Sequence, residues 1–215
     1  MRFLLVLLCA MALPSAGARA LELQGAARVI DGDTLEIAGE VVRLHGIDAP
    51  EDAQRCGTIA CGAEASKALG RLVRGAVVTC RGETRDAYGR LIAVCEAGGT
   101  EINEGLVAAG LARAFLRYSD AYAAAEASAR AAGRGFWRAG FPAPWEFRAN
   151  AWRAAAEAAP FRDCPIKGNI SANGRIYHTP HSRWYEHTRI DTRRGERWFC
   201  TEAEALEAGW RPARG

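Results

Sequence analysis

The chain has 215 residues, of which 49% are apolar and 25% are charged, an ordinary globular composition that allows one or two domains. The net charge is +3, and removal of the first 20 residues, with Arg2 and Arg19, would leave 26 basic and 25 acidic residues. This balance excludes a general basic coat for nucleic acid, so any affinity for phosphate has to come from the local placement of cations.

Residues 1–20 have the pattern of a signal peptide. Arg2 supplies a basic start, residues 3–13 form an apolar run, and Ala18 and Ala20 place small residues before a cleavage site. A buried first strand or helix is the alternative. The apolar run is too short to cross a bilayer, and no later segment is suited to do so. We therefore expect an exported protein, periplasmic or secreted, with no membrane contact after cleavage.

Cleavage would remove Cys9 and leave six cysteines, an even number that predicts disulfide bonds in an exported chain. The sequence allows several pairings, and proximity favours neighbours. Cys80 and Cys95 are the best supported pair, because two predicted strands around a turn at 86–89 would set them opposite each other. Free or metal-bound thiols are the alternative. The favoured pairs are Cys56 with Cys61, Cys80 with Cys95, and Cys164 with Cys200.

The pattern along the chain predicts the element order βββ-α-ββ-α-α, which suits a small closed barrel with helices rather than a doubly wound sheet. The predicted strands are 26–30, 34–38, 41–47, 77–80 and 91–95, and the predicted helices are 63–73, 101–109 and 121–132. An alanine-rich helix at 145–159 follows, and the composition then changes. We expect a domain at 21–148, a helical connector at 149–160 and a small module at 161–215.

Three segments carry side chains suited to phosphodiester chemistry. Asp33 and Asp48 offer hard carboxylate oxygens that suit Ca²⁺ or Mg²⁺. Glu51 follows Asp48 closely and can face the same pocket. Arg43, from a strand, and Arg90, from a hairpin, could grip one phosphate from two sides, because a guanidinium donates two hydrogen bonds to phosphate oxygens. Each segment alone is an ordinary turn or strand end, and their combination fits attack of water on a phosphodiester.

These segments resemble the staphylococcal nuclease (thermonuclease) family. The matching runs are V-I-D-G-D-T at 29–34, R-L-H-G-I-D-A-P-E at 43–51, D-A-Y-G-R at 86–90, N-E-G-L-V-A-A-G-L-A at 103–112 and G-F-W at 135–137, so the resemblance covers about residues 25–148. It implies an α+β fold with an OB-fold five-stranded barrel and three helices. It also implies a Ca²⁺-dependent endonuclease that acts on DNA and RNA and leaves 3′-phosphate ends.

The resemblance also implies roles for individual residues. Arg43 and Arg90 would bind phosphate and Glu51 would be the general base, so these three are the expected catalytic residues, while Asp33 and Asp48 would hold Ca²⁺. The remaining roles are support of the metal ligands or hairpin, by Asp31, Thr34 and Asp86, and substrate binding, by Tyr88 and Tyr118. Two departures affect the substrate site: Ala87 stands where the family has lysine, and Leu116 replaces one of two tyrosines.

The C-terminal segment contains C-P-I-K-G-N-I-S at 164–171, I-Y-H at 176–178, E-R-W-F-C at 196–200 and G-W-R at 209–211. With these runs it resembles the sunset-type module of bacterial exported proteins and, more distantly, small zinc-binding domains of DNA-repair methyltransferases. We expect a module stapled by Cys164 and Cys200 that buries Trp184, Trp198 and Trp210. Zinc held by histidines and cysteines is the alternative, although the histidine spacing matches no known zinc pattern. The candidate histidines are His178, His181 and His187.

The arginines and aromatic residues of this module suit binding of either nucleic acid or cell-wall glycans, and nothing in the chain demands more than a monomer. The alternative function for the whole protein is a non-catalytic barrel that binds nucleic acid or an envelope partner.

Overall fold

The computed structural model describes residues 20–161 and 163–213. The predicted signal peptide and Cys9 lie outside the described residues, apart from Ala20. Within the described ranges, the chain forms two hydrophobic cores. No helix in that part of the chain is long and apolar enough to cross a membrane.

The first core is enclosed by a curled sheet in the order β1-β6-β7-β4-β3-β2, with β8 beside β7 and a separate β5–β9 pair. All neighbours on this path are antiparallel except β4 and β7, which run parallel. The strands are β1 Leu21–Gly25, β2 Ala27–Asp31, β3 Thr34–Ile37, β4 Glu40–Leu44, β5 Ile47–Asp48, β6 Val78–Arg85, β7 Leu91–Ala97, β8 Thr100–Glu101 and β9 Arg113–Ala114.

Helices cover this sheet, and the whole is the α+β OB-fold that the resemblance implies. Apolar residues alternate along the strands, so one face of the sheet is buried against the helices. The helices of this half are α1 Cys61–Val73, α2 Ile102–Ala108 and α3 Ala123–Ala131, with a 3₁₀ turn at Gly135–Ala139. The core includes Leu35, Ile37, Val42, Leu44, Leu69, Leu91 and Leu106.

The first strand, β1, was not predicted from the sequence, because it is short and follows directly on the expected cleavage site. It pairs with β6 along its whole length and extends the sheet beyond the five expected strands.

The predicted strand 41–47 is two strands in the structure. β4 ends at Leu44, and a turn through Gly46 separates it from β5. Gly46 has φ of +71°, and a Cβ there would lie 2.9 Å from the ring of Tyr122, so this close turn requires glycine. The turn redirects the chain and places Asp48 at 0% exposure beneath the edge of the barrel.

Helix α4, Pro144–Ala158, links the two cores. Proline at its first turn needs no hydrogen-bond partner for its nitrogen and presets the helical φ. Trp145 stacks on Phe115 of the first domain at 5.4 Å, whereas Trp152 packs against the second core. Helix α4 as a whole contacts both halves, and the predicted connector, 149–160, begins inside this helix.

The second module is a small four-stranded sheet, in the order β12-β10-β11-β13, with one short helix. Its elements are β10 Ile166–Ser171, β11 Gly174–His178, a 3₁₀ turn at Thr192–Arg194, β12 Arg197–Phe199, α5 Glu202–Glu207 and β13 Arg211–Pro212. The core consists of Ile166, Tyr177, Phe199, Ala205 and Trp210.

The prediction that three tryptophans fill this core is correct only for Trp210. Trp198 is half-buried, and Trp184 is 46% exposed. Trp184 lies in the long irregular segment between β11 and β12, and Tyr177 and Phe199, which lie on paired strands, occupy the interior instead.

All three predicted disulfide pairs are present. Cys80 and Cys95 face each other in the register of β6 and β7, as the hairpin prediction requires. Cys56 and Cys61 close the loop before α1. Because Cys164 and Cys200 are bonded to each other, neither is a free thiolate for zinc.

Candidate active site

The centre of the candidate site is Arg43, whose guanidinium joins two carboxylates. Nη1 donates to Oδ1 of Asp33 at 2.7 Å, and Nη2 donates to Oδ1 of Asp48 at 2.9 Å. Arg43 lies on β4, Asp33 in the turn before β3, and Asp48 at the end of β5. The barrel therefore brings together three residues that the sequence analysis selected from separate segments.

Both oxygens of the Asp33 carboxylate accept hydrogen bonds. Oδ1 also accepts a hydrogen bond from the Thr34 hydroxyl at 3.0 Å, and Oδ2 accepts one from the backbone N–H of Ala49 at 2.9 Å. Asp31 in turn accepts from the backbone N–H of Asp33 at 3.1 Å. Asp31 and Thr34, which the resemblance implies as supporting residues, both form a hydrogen bond with Asp33.

The loop that carries Glu51 is fixed by Gln54, a residue that the sequence analysis missed. Gln54 is buried; its Oε1 accepts from the backbone N–H of Glu51 at 3.2 Å, and its Nε2 donates to the carbonyl of Pro142 at 2.8 Å. The N-terminal turn of α1 packs so closely on this loop that a Cβ at Gly62 would lie 1.8 Å from the carbonyl oxygen of Glu51.

Arg148 is the second site residue that the sequence analysis missed. It lies on α4, and its guanidinium donates to both oxygens of Asp48, from Nη1 at 3.1 Å and from Nη2 at 2.8 Å. Nη1 also donates to Oε1 of Glu51 at 2.6 Å. The run Trp-Glu-Phe-Arg after Pro144 predicts a position on the first turns of a helix, but nothing local in it indicates the carboxylate partners.

Arg90 enters from the hairpin between β6 and β7, where Asp86 organises the turn. Asp86 Oδ1 accepts from the backbone N–H groups of Tyr88 and Arg90, and its Oδ2 accepts from Arg90 Nε at 2.7 Å. The Arg90 side chain is about 25% exposed. It makes no ion pair with Asp33, although its charge contributes to the low pKa of that carboxyl.

The carboxyl groups of the cluster differ in the direction in which their pKa values are shifted. Burial raises the pKa of Glu51 to about 7 and the pKa of Asp31 to about 7, against the lowering effect of nearby arginines. Burial also raises the pKa of Asp48. At Asp33 burial acts in the same direction, but Arg43 and the Ala49 N–H overcome it, so the pKa is lowered.

The two predicted substrate-binding tyrosines are both exposed to solvent. Tyr88 is 45% exposed and Tyr118 is 64% exposed. Tyr118 packs edge-on against Phe115, whose backbone N–H donates to the carbonyl of Gly46, two residues before Asp48. Leu116, which replaces a tyrosine of the family pattern, is 64% exposed beside it.

The second module reaches the same site. Nε2 of His181 lies 4.0 Å from Oε2 of Glu51, and Nε of Arg183 lies 4.0 Å from Oδ2 of Asp52. On the other side, Tyr88 donates a hydrogen bond to Glu202 at 2.8 Å. The cluster is therefore bordered by residues of both halves of the chain.

The histidines considered for zinc do not converge. His178 contacts Asn169, His181 contacts Thr179, and His187 is exposed. Among the residues described, no group of three or more His, Cys, Asp or Glu side chains is arranged to hold a metal ion.

The donor chemistry of the site nevertheless suits the expected Ca²⁺. Asp33 and Asp48 both contact the guanidinium of Arg43. Including Asp31 and Glu51, the cluster has four carboxyl groups, whereas two arginines, Arg43 and Arg148, contact carboxylates of the cluster. Carboxylate oxygens are the ligands that Ca²⁺ prefers. Both oxygens of Asp48 accept from arginine, and the two lone pairs of Oδ1 are both used, so a cation at Asp48 would compete with a guanidinium.

The curled OB-fold sheet thus carries this cluster of arginines and carboxylates. Residues 41–139 match the family model described as staphylococcal nuclease homologue, and residues 144–212 match a model described as ArfC. The segment 41–139 is a domain of the staphylococcal nuclease family, and the ArfC segment is a separate C-terminal module. The ArfC match begins at the first residue of α4.

Several named relatives match about half of this chain. The succinoglycan biosynthesis protein ExoI of Rhizobium meliloti is 41% identical over 54% of this chain and 64% of its own length. The probable staphylococcal-like nuclease CAN1 of Oryza sativa subsp. japonica is 33% identical over 50% of this chain and 32% of its own. An uncharacterized endonuclease of Haemophilus influenzae is 35% identical over 51% and 63% respectively. The chain therefore spans less than two thirds of these relatives.

Proposed function

We propose that the protein is an exported, Ca²⁺-dependent endonuclease that hydrolyses phosphodiester bonds of DNA and RNA and leaves 3′-phosphate ends. The observation that carries this proposal is the Arg43 guanidinium between Asp33 and Asp48, with Glu51 joined to Asp48 through Arg148. The nuclease-family domain at residues 41–139 and the two relatives named as nucleases support it.

Glu51 is the proposed general base. Its pKa of about 7, raised by burial, lies near neutral pH, where the ionised half of the population can accept a proton readily. Gln54 and α1 fix the backbone of the Glu51 loop, so the carboxylate is held in place before substrate arrives. Glu51 would take a proton from the water that attacks phosphorus.

Arg43 and Arg90 are the proposed phosphate-binding residues. Negative charge grows on the phosphoryl oxygens as water attacks, and fixed guanidinium groups offset it without reorganising. Burial of Arg43 and its two carboxylate partners hold its direction, and Asp86 holds that of Arg90. Tyr88 and Tyr118 would contact the nucleotide, with weaker stacking than two loop tyrosines would provide, because Leu116 has no aromatic ring.

Asp33 and Asp48 would hold Ca²⁺, with Asp31 and Thr34 supporting them. The bound ion would supply charge stabilisation and position water at the phosphate. In the same proposal the protein is a monomer that acts outside the cytoplasm. Three disulfides support an oxidising compartment, the periplasm or the medium.

A second candidate is a non-catalytic barrel that binds nucleic acid or an envelope partner. The name of the ExoI relative, a succinoglycan biosynthesis protein, favours keeping this candidate. The nuclease proposal is preferred because all five side chains expected for catalysis and metal binding are present.

The experiment that separates the two candidates is digestion of single-stranded DNA, double-stranded DNA and RNA by the purified, oxidised protein. Each substrate is incubated with Ca²⁺ and, in parallel, with excess chelator. We expect cleavage with Ca²⁺ that stops in chelator, and products whose 3′ ends require phosphatase before a polymerase can extend them. A folded protein that cuts none of the three substrates in any divalent metal would favour the binding candidate.

A further inference from the structure

Arg148 belongs to the site by geometry but not to the nuclease-family segment. It lies nine residues beyond residue 139, on a helix whose Trp152 packs in the second core. Its guanidinium makes three hydrogen bonds of 2.6–3.1 Å to Asp48 and Glu51. The ArfC-matching segment thus supplies a cation to the nuclease site.

The oxygens that Arg148 occupies are those a divalent cation would use. Oδ1 of Asp48 accepts from both Arg43 and Arg148, so both of its lone-pair directions are taken, and Oδ2 accepts from Arg148. The Asp48 side chain is fully buried. Two cations a few ångströms apart in such a place repel each other strongly, because little water screens them.

We propose that Arg148 is a positioning residue that sets the divalent-cation affinity of the nuclease site, by occupying the Asp48 carboxylate until the cation displaces it. The inference rests on the proposed function, in which Asp33 and Asp48 bind Ca²⁺. Without the cation, Arg148 neutralises Asp48 and holds Glu51 beside it. Binding of the cation requires Arg148 to release Asp48, and the cost of that release lowers the observed affinity.

The second module contributes to this competition through α4. Trp145 and Trp152 fix the helix against the first domain and the second core respectively, so the Arg148 backbone is held between them. Arg148 is therefore presented to Asp48 by the packing of both halves.

The test is calorimetric titration of Ca²⁺ into the full, oxidised protein carrying Arg148→Met, compared with Arg153→Met. Arg153 lies five residues along the same helix, and among the described side chains it hydrogen-bonds to Asn150 and forms no ion pair, so its substitution removes the same charge away from the site. We expect Arg148→Met to bind Ca²⁺ at least about fivefold more tightly than wild type, and Arg153→Met to bind like wild type.

Arg148→Lys is the second variant, because removal of the guanidinium leaves a buried carboxylate that could unfold the Met variant. Lysine keeps the charge but cannot donate to both Asp48 oxygens in the arginine fork, so Ca²⁺ binding should tighten by a smaller factor than with Met. Circular dichroism and melting curves establish which variants are folded.

A folded Arg148→Met protein whose Ca²⁺ dissociation constant is no lower than that of Arg153→Met would overturn the inference. If only Arg148→Lys folds, a Ca²⁺ affinity of this variant equal to that of wild type would also overturn the inference. The measured quantity is Ca²⁺ binding, so a failure of this inference and a failure of the proposed nuclease function give different results. A wild-type protein that binds Ca²⁺ without cutting nucleic acid contradicts the nuclease, whereas tightening in Arg148→Met still supports the displacement of Arg148.

Discussion

The hydroxyl of Tyr88 donates a 2.8 Å hydrogen bond to Oε1 of Glu202, and the hydroxyl of Tyr177 donates a 2.9 Å hydrogen bond to Oε2 of the same carboxylate. Tyr88 is at the tip of the hairpin that carries Arg90, whereas Tyr177 and Glu202 belong to the second module. One carboxylate therefore ties a predicted substrate-binding residue to the other half of the chain.

We expect Tyr88→Phe and Glu202→Gln each to lower the free energy of unfolding by about 1 kcal/mol or less, because Tyr88 is nearly half exposed and water replaces part of the lost hydrogen bond. The double variant should lose less than the sum of the two single losses, as residues in direct contact do. Denaturant titrations of the four proteins measure this coupling. Strictly additive losses would mean that the hydrogen bond contributes nothing in solution.

Replacement of Arg43 or Arg90 by alanine should lower the turnover number by about 10²-fold or more, since each removes one fixed cation from the charge that develops on the phosphate. Initial rates at saturating DNA measure the effect. Arg28→Ala is the matched control, because Arg28 pairs with Glu36 on the exposed surface of the same sheet. Turnover within about threefold of wild type for either site variant would contradict the proposed mechanism.

Glu51→Gln should abolish most activity but retain the thermal stabilisation that Ca²⁺ gives the wild-type protein. The amide oxygen can still accept from Arg148, but it cannot take a proton from water at neutral pH. Melting temperatures with and without Ca²⁺ are measured beside activity, with Asp52→Asn as the neighbouring control. Equal loss of activity and of stabilisation would show that Glu51 acts mainly as a metal ligand.

His181 should lower the free energy of unfolding as the pH drops from 6.5 to about 4, whereas the raised pKa values of Glu51 and Asp31 act in the opposite direction over the same range. Burial, followed by the charge of Arg148, lowers the pKa of His181 to about 4 from its ordinary 6.5. The unfolded chain therefore takes up a proton in this range while the folded protein does not, which favours unfolding.

His181→Gln should reduce this acid-dependent loss by about 2 kcal/mol, whereas His187→Gln, on the exposed surface of the same module, should not. Melting curves of the three proteins between pH 7.5 and pH 4.5 provide the comparison. Parallel pH profiles for wild type and His181→Gln would show that the imidazole does not resist protonation in the folded protein.

Much of the nuclease half follows from local sequence pattern. Alternation of apolar residues predicts the barrel strands, and helical spacing followed by Gly110 and Gly133 predicts α2 and α3 within a few residues. The hairpin register predicts the Cys80–Cys95 bond, because a turn fixes which residues face each other across two strands. The short strand β1 and the break at Gly46 escaped prediction, because both depend on distant partners, β6 and Tyr122.

The sequence by itself determined which side chains could carry the proposed chemistry, since Asp33, Arg43, Asp48, Glu51 and Arg90 lie in short motifs that together resemble one family. Only the tertiary structure decided how these charges are paired. Arg148 lies 100 positions from Asp48 and 97 from Glu51, and Gln54 lies 88 from Pro142. No local pattern encodes such contacts, because they form only when α4 and the second core pack against the barrel and a buried carboxylate must find a cation.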